Sequence, residues 1–534
     1  MFGDSSRKSW ILLVLFIAQF LLLFRPGIMA WDGVFYYAYT RSSVCDGDLR
    51  LVNDLLLFYE ARDDSYFEGE HFEEILTPTG RVDSPFTVGT SLLWLPWFLL
   101  IYGLMRLIGW VGLGPTALTC YEWPFVWGMA TVTCAYGWLS VLVGFRLARR
   151  FVNEWTALIA SAVVMFTTPL LYYQFREPFY AHAASAMTIA LFVAAWWRLS
   201  EREDESLSAA CLLGALGGLA ALVRSPNIAY FVLPVSTALL SARVALRNRD
   251  WRAVGHVFLR VLMMGLGGML VLTLQFSVWY LFYGQPLIVP QGTMFMDWSA
   301  PWAKYVLFSS FHGLLPWLPL TVPAVVGLAL SIRSLPRLSI PLLIAFLLQV
   351  YVNSCARDWF GGGGYGARRF SSALVILLVG YACLINWRKE LWYRSLIVAL
   401  GGLLILHQWL VLSYGLADSI GGYVVSMKPT YEWHADGIGH FVHQLVSYVP
   451  LAVQSPVRTL VLSDSPLEIV QSSFTSFGGQ ILLLAEVLVA LYCLQGVYRL
   501  LIRRQAKLLT DRRFVLLCVM VLTMLADWWL LRWA

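Results

Sequence analysis

The sequence predicts an all-α protein that threads a bilayer many times, and three observations carry that reading. Of its 534 residues, 59% are hydrophobic and only 13% are charged, about half the charged share of a soluble domain. The mean hydropathy is +0.67, too high over this length for a soluble core with one anchor. Apolar runs of about 20 residues, enough to cross the hydrocarbon layer, recur along the chain and alternate with short basic connections. Those connections account for the net charge of +6, so no nucleic-acid partner is required.

The first run, near 10–27, follows Arg7 and Lys8 as a signal peptide would. However, Arg25-Pro26-Gly27-Ile28-Met29 offers no small-residue cleavage site, so it reads as an uncleaved span. Further spans fall near 124–147, 155–173, 180–198, 208–223, 228–244, 256–283, 314–332, 338–355, 371–387, 394–414, 478–500 and 514–532, about thirteen in all by the length rule. With the N-terminus inside, the inward loops hold Arg146/Arg149/Arg150, Arg243/Arg247/Arg249/Arg252, Arg333/Arg337, Arg388/Lys389/Arg394 and the cations from Arg499 to Arg513, the positive-inside pattern. The loop from Arg198 to Glu205 is net acidic, but acids contribute little to orientation.

One membrane domain therefore occupies 1–534, elaborated by outward loops at 28–123, 174–180, 283–314, 356–370 and 415–477. The first loop ends in an apolar stretch, Leu92 to Ile108, interrupted by Pro96 and carrying Arg106. Counted as a span, it would invert every later loop, so it is expected to be an interfacial or re-entrant helix. The loop at 415–477 is long enough for a small cap. Eight cysteines are scattered without a CxxC pair, so neither a zinc nor a redox motif is signalled.

Candidate functional residues gather at the outward ends. Asp32, in Trp31-Asp32-Gly33, is either a base that takes a proton from a hydroxyl or a cap on a helix starting at Gly33. Arg176-Glu177-Pro178-Phe179-Tyr180-Ala181-His182 places three ionisable groups in one tight turn; a local Arg176–Glu177 pair explains it as well as function does. Asp358 to Phe370 contains four consecutive glycines, then Arg368 and Arg369. Glycines permit close backbone approach to a ligand, successive amides can form an anion nest, and arginine forks match phosphate oxygens. The same segment is also readable as a loop with snorkelling arginines; it lacks the GxxxxGK[ST] spacing of a P-loop. Arg224 stands at a span boundary, free to meet a phosphate or to snorkel. His312 precedes the span at 314–332. Asp46-Gly47-Asp48 lacks the rest of an EF-hand loop. His434, His440 and His443 match no zinc motif. Asp527 sits in the last run.

These residues sit in stretches with a family likeness: WDGVFYYAYTRS at 31–42, CDGDLR at 45–50, SPFTVGTSLLWLPWF at 84–98, LFSSFHGLLPW at 307–317 and DWFGGGGYGARRF at 358–370. The chain resembles GT-C-fold membrane glycosyltransferases, near the bacterial protein O-mannosyltransferases and lipid A aminoarabinose transferases. That resemblance implies a GT-C fold with interfacial helices in the first outer loop. It implies extracytoplasmic, inverting transfer of a monosaccharide from a polyprenyl-phosphate donor to a hydroxyl of a glycolipid, envelope glycan or protein. Asp32 would be the base and Glu177 the second acid. Arg368, Arg369 and Arg224 would hold the donor phosphate, and His182, Tyr180, His312, Trp359 and Asp48 would contact substrate. The expected partners are a lipid-linked donor and its acceptor in a bacterial inner membrane. No cofactor is implied and a divalent metal is not demanded. The first loop has Asp-Gly where the protein mannosyltransferases carry Asp-Glu, and the WWDxG signature of oligosaccharyltransferases is missing. The alternatives are a ligase or polymerase using a pyrophosphate-linked glycan, and a flippase, for which ionisable residues would be expected at the bilayer midplane.

Overall fold

The computed structural model describes residues 9–24, 26–27, 31–60, 76–201, 206–309, 312–362 and 364–418. Within them the chain is helical, with two isolated β-bridges, Leu76 to Val82 and Met296 to Ala356. The helices are α1 (Ser9–Leu23), α2 (Trp31–Arg41), α3 (Val52–Glu60), α4 (Gly89–Trp110), α5 (Trp123–Ala148), α6 (Glu154–Thr167), α7 (Leu170–Phe175), α8 (His182–Glu201) and α9 (Leu207–Val223). They continue as α10 (Val232–Arg247), α11 (Trp251–Tyr283), α12 (Ala303–Phe308), α13 (Leu314–Trp317), α14 (Thr321–Ser331), α15 (Pro336–Cys355), α16 (Leu374–Asn386) and α17 (Leu391–Asp418). Single 3-10 segments, Ser225–Phe231 and Arg368–Ala373, lead into α10 and α16.

Eight of the described helical stretches are long and apolar enough to cross a membrane. Helices occupy each predicted span except 478–500 and 514–532, which lie outside the described residues, as do the loop at 415–477 from residue 419 on, His434, His440, His443 and Asp527. Two predicted spans are not continuous, and a third changes helix type along its length. The run at 155–173 breaks at Thr168-Pro169, where proline removes a backbone donor. The run at 314–332 breaks after α13, at Leu318 to Leu320. The run at 228–244 opens as a 3-10 turn after Pro226.

Helix starts at one end of the bundle are written in the sequence. Asn153 accepts from the Thr156 amide (2.9 Å), Ser206 from Ala209 (3.1 Å) and Asp250 from Ala253 (3.0 Å), each satisfying an otherwise orphaned amide. That end also carries Arg149 beside Glu154 (3.9 Å) and Arg150 beside Glu201 (2.5 Å).

The stretch around 92–108 forms a longer helix than expected, and Pro96 does not interrupt it. By length and composition α4 qualifies as a span, and the segments that flank it are both tied to the other end of the bundle. Just before it, Thr87 donates to the Val223 carbonyl at the close of α9 (3.1 Å). Just after it, Cys120 is bonded to Cys45, and the Cys120 carbonyl accepts from Tyr37 on α2 (2.5 Å). The helix lies against α5 as an arm, with Trp94 donating to Thr133 and Trp97 to Tyr136 (both 3.0 Å). Its other face exposes Leu99, Leu100, Leu104, Leu107 and Trp110.

The buried core has two lobes. One gathers α1, α6 to α8 and α14 to α17 around the inner part of α5. The other packs α2 and α4 against the first turns of α5. They meet at the turn between α7 and α8, where Tyr180 belongs to the first lobe and Phe179 and Ala181 to the second.

Candidate active site

The turn at 176–182 is the floor of the site, and α2 is laid directly on it. A Cβ added at Gly33 would stand 2.9 Å from Phe179 Cβ, so glycine is what lets the first turn of α2 reach Phe179. The result sets Asp32 beside that turn. Asp32 lies inside the first turn of α2, which starts at Trp31 and not at Gly33. Its carboxylate meets the Arg368 guanidinium at 3.3 Å across 336 residues of sequence.

Arg368 is the centre of the arrangement. Its second nitrogen donates to the Gly361 carbonyl, and its guanidinium lies 5.1 Å from the centre of the Tyr180 ring, a cation–π distance. The glycine loop is shaped to this side chain. A Cβ at Gly364 would sit 2.6 Å from the Tyr173 hydroxyl and 2.9 Å from Arg368 Nε. Tyr173 in turn donates to the Tyr365 carbonyl (3.1 Å), anchoring the loop to α7.

Glu177 stands in the same field. Tyr172 donates to its Oε1 (3.2 Å), while Oε2 is buried without a hydrogen-bond partner among the described residues. Burial pushes its pKa up to about 7; the Arg368 charge opposes that push and the Asp32 charge adds to it. His182, the first residue of α8, places Nδ1 3.3 Å from Arg224 and its ring 4.3 Å from Tyr173. Arg224 therefore turns toward this cluster from the end of α9. Asp32, Glu177, Tyr180, His182, Arg224 and Arg368 are thus brought to one place, between the ends of α7, α8 and α9 and the start of α2.

The remaining candidates stand elsewhere. Arg369 points back across its own loop and pairs with the Asp358 carboxylate (2.5 Å) and carbonyl (2.9 Å). His312 is buried with φ +65°, and its Nδ1 lies 2.8 Å from the Phe360 carbonyl. It ties the start of α13 to the glycine loop, and burial lowers its pKa to about 4. Trp359 is buried between Tyr305 and Phe360. Asp48 is not brought to the cluster: it closes a local turn, accepting from Ser42 (2.8 Å) and the Arg50 amide (2.9 Å), and the helical rise of α2 puts it roughly 15 Å from Asp32.

Sequence reasoning missed two features that hold α2 in place. The first is the disulfide between Cys45 and Cys120; the signal was available, since both cysteines fall in the one outward loop at 28–123. The second is Asp54, fully buried, which accepts from Tyr121 and lies 3.4 Å from Arg41, itself paired with Asp46. Burial raises the Asp54 pKa to about 6. Nothing local distinguishes Asp54 from the other acids of that loop.

No protein-family model matches this chain, and no curated protein matches it. Among solved structures it is similar to ArnT from Cupriavidus metallidurans bound to undecaprenyl phosphate, with 15% identity, a TM-score of 0.49, and coverage of 92% of this chain and 79% of that one. The apo state of the same protein gives 16% identity, a TM-score of 0.47 and coverage of 93% and 78%. The archaeal oligosaccharyltransferase AglB from Archaeoglobus fulgidus, in complex with an inhibitory peptide and a dolichol-phosphate, gives 12% identity, a TM-score of 0.42 and coverage of 79% and 60%. At these identities and scores no residue role passes from one chain to another.

Proposed function

We propose that this chain is a membrane glycosyltransferase that moves a monosaccharide from a polyprenyl-phosphate donor to an acceptor hydroxyl on the extracytoplasmic side. The observation that carries the reading is the meeting of Asp32 with Arg368 at 3.3 Å, with Glu177 and the His182–Arg224 pair alongside. A carboxylate next to guanidinium groups is the pairing such a displacement needs. Asp32 takes the proton of the acceptor hydroxyl. The acceptor oxygen bonds to the anomeric carbon as the carbon–phosphate-oxygen bond breaks, and the electron pair leaves with the polyprenyl phosphate. Arg368 and Arg224 stabilise that developing charge. Attack opposite the leaving group inverts the anomeric centre.

Two features support the sidedness. The basic loops cluster at the end of the bundle away from the site, as the positive-inside rule places them in the cytoplasm. The Cys45–Cys120 disulfide is at the site end, and disulfides persist in oxidising compartments.

The test is turnover of a panel of polyprenyl-phosphate sugars by purified protein. Asp32→Asn is expected to lower transfer by about 10²–10⁴-fold with melting behaviour unchanged. Full activity in that variant would remove Asp32 as the base. Turnover of pyrophosphate-linked glycans alone would replace this reading with a ligase.

A further inference from the structure

Tyr36 stands one turn after Asp32 on α2, so the two side chains share a face of that helix. Its backbone and ring are fixed by the segment that opens α4. Ser91, in the first turn of α4, donates to the Tyr36 carbonyl (2.7 Å), and the Tyr36 ring lies 5.3 Å from that of Phe86. That same segment is pressed against the end of α9. A Cβ added at Gly89 would stand 2.3 Å from the carbonyl carbon of Leu222, and Thr87 donates to Val223, the residue before Arg224. The start of α4 thus joins Tyr36 on one side to the base of Arg224 on the other.

Tyr36 is buried, yet its hydroxyl makes no hydrogen bond among the described residues. Its hydrogen bonds there run to its carbonyl, from Ser91 and from Thr40 (3.3 Å). The next residue, Tyr37, is by contrast satisfied by the Cys120 carbonyl. The charged groups whose fields reach the Tyr36 hydroxyl are Asp32, Arg224 and Arg368. Burial, with Asp32, raises the phenol above its ordinary pKa against the pull of the two arginines, so it stays neutral and keeps its proton to donate. A buried hydroxyl left without an acceptor is unfavourable, and a ligand that supplies one relieves the cost.

We propose that the Tyr36 hydroxyl is a third donor to the phosphate of the lipid-linked sugar, beside Arg224 and Arg368. The inference rests on the glycosyl-transfer reading. A phosphate is selected because its free oxygens only accept, and they gain charge as the sugar departs. The acceptor hydroxyl, which gives its proton to Asp32, has no need of a second donor. A phenol adds a hydrogen bond at the phosphate without adding charge beside two guanidinium groups.

The experiment uses the purified full chain in detergent. Native mass spectrometry measures its affinity for a polyprenyl monophosphate and for the polyprenol of the same chain length. The wild type is expected to prefer the phosphate. Tyr36→Phe, which removes one oxygen and keeps the ring, is expected to weaken phosphate binding about tenfold. Its polyprenol binding, melting temperature and the shape of its pH–rate profile are expected to match the wild type. Unchanged phosphate affinity in the variant, with the wild-type preference intact, would overturn the role of Tyr36 and leave the glycosyl-transfer reading standing. A fall in kcat with phosphate affinity kept would also overturn it, by moving the hydroxyl to the acceptor. A wild type that binds phosphate and alcohol equally would overturn both.

Discussion

At the scale of single residues, the candidate site sets two carboxylates in different surroundings around one guanidinium. Asp32 is paired directly with Arg368. Glu177 is packed among aromatic rings, with one oxygen that has no hydrogen-bond partner among the described residues, and burial pushes its pKa up to about 7. The sign of its pH dependence follows. A carboxyl whose folded pKa is raised favours the folded state fully below its ordinary value of 4.5, and that contribution is lost as pH rises through about 7. The neutral form is also the one able to donate a hydrogen bond to a leaving phosphate. Transfer by the wild type is therefore expected to decline as pH rises through about 7, while Glu177→Gln, neutral at every pH, keeps its rate on the alkaline side. Superimposable pH–rate profiles for the two proteins would show that another group titrates. The residue types at this site were readable in the sequence, because an acid flanked by aromatics and two arginines after four glycines are unusual outside the basic loops. Which arginine serves was not readable. Arg368 and Arg369 are adjacent, but a 3-10 turn points them apart, one to Asp32 and the other to Asp358.

At the scale of elements, α2 is the part on which the site depends, and it is held at both ends. Gly33 seats its start on Phe179, and its far end is locked by the Cys45–Cys120 disulfide together with the Asp54–Tyr121–Arg41 cluster. Closing a loop of this length contributes up to about 4 kcal/mol in the chain-entropy account. Cys45→Ser is expected to lower the melting temperature and the rate of transfer together. Reductant is expected to do the same to the wild type and nothing further to the variant. A wild-type protein whose rate is indifferent to reduction, with loss of the disulfide verified by thiol titration, would show that α2 holds Asp32 without the bond. A helix at α4 was foreseen, with the expectation on charge grounds alone that it does not cross, although its length and apolarity would allow a span. Its continuity through Pro96 was not, because the freed backbone carbonyl is tolerated in a helix exposed on one face and packed on α5 along the other.

At the scale of the whole molecule, charge and covalent chemistry are segregated. Described basic loops and helix caps mark one end; the disulfide, the glycine loop and the buried carboxylates mark the other. Orientation is open to a direct measurement. Ser299→Cys, in the exposed segment at the site end, is expected to react with a membrane-impermeant maleimide on intact cells, and Asn248→Cys, at the basic end, only after permeabilisation. The reverse pattern would place the site in the cytoplasm and remove the argument for a lipid-phosphate donor. Among the described residues the free Cys134, Cys355 and Cys383 are buried and Cys211 is partly exposed, so the introduced thiols are read against the labelling of the wild type.

What the sequence by itself determined is what depends on composition and local pattern. Hydropathy over runs of about 20 residues defines helices because a bilayer leaves the backbone no other way to satisfy its hydrogen bonds. Cation placement gives those helices an expected orientation, and glycine, proline and capping residues mark where they begin and break. What only the tertiary structure decided is which of the outward polar residues share a site. Asp32 and Arg368 are separated by nearly two-thirds of the chain, His182 and Arg224 by a helical hairpin, Cys45 and Cys120 by an entire loop. No periodicity encodes such meetings, because they are fixed by side-chain packing between helices distant in sequence. The same packing turned Asp48 and Arg369, as promising in the sequence as their neighbours, to other partners.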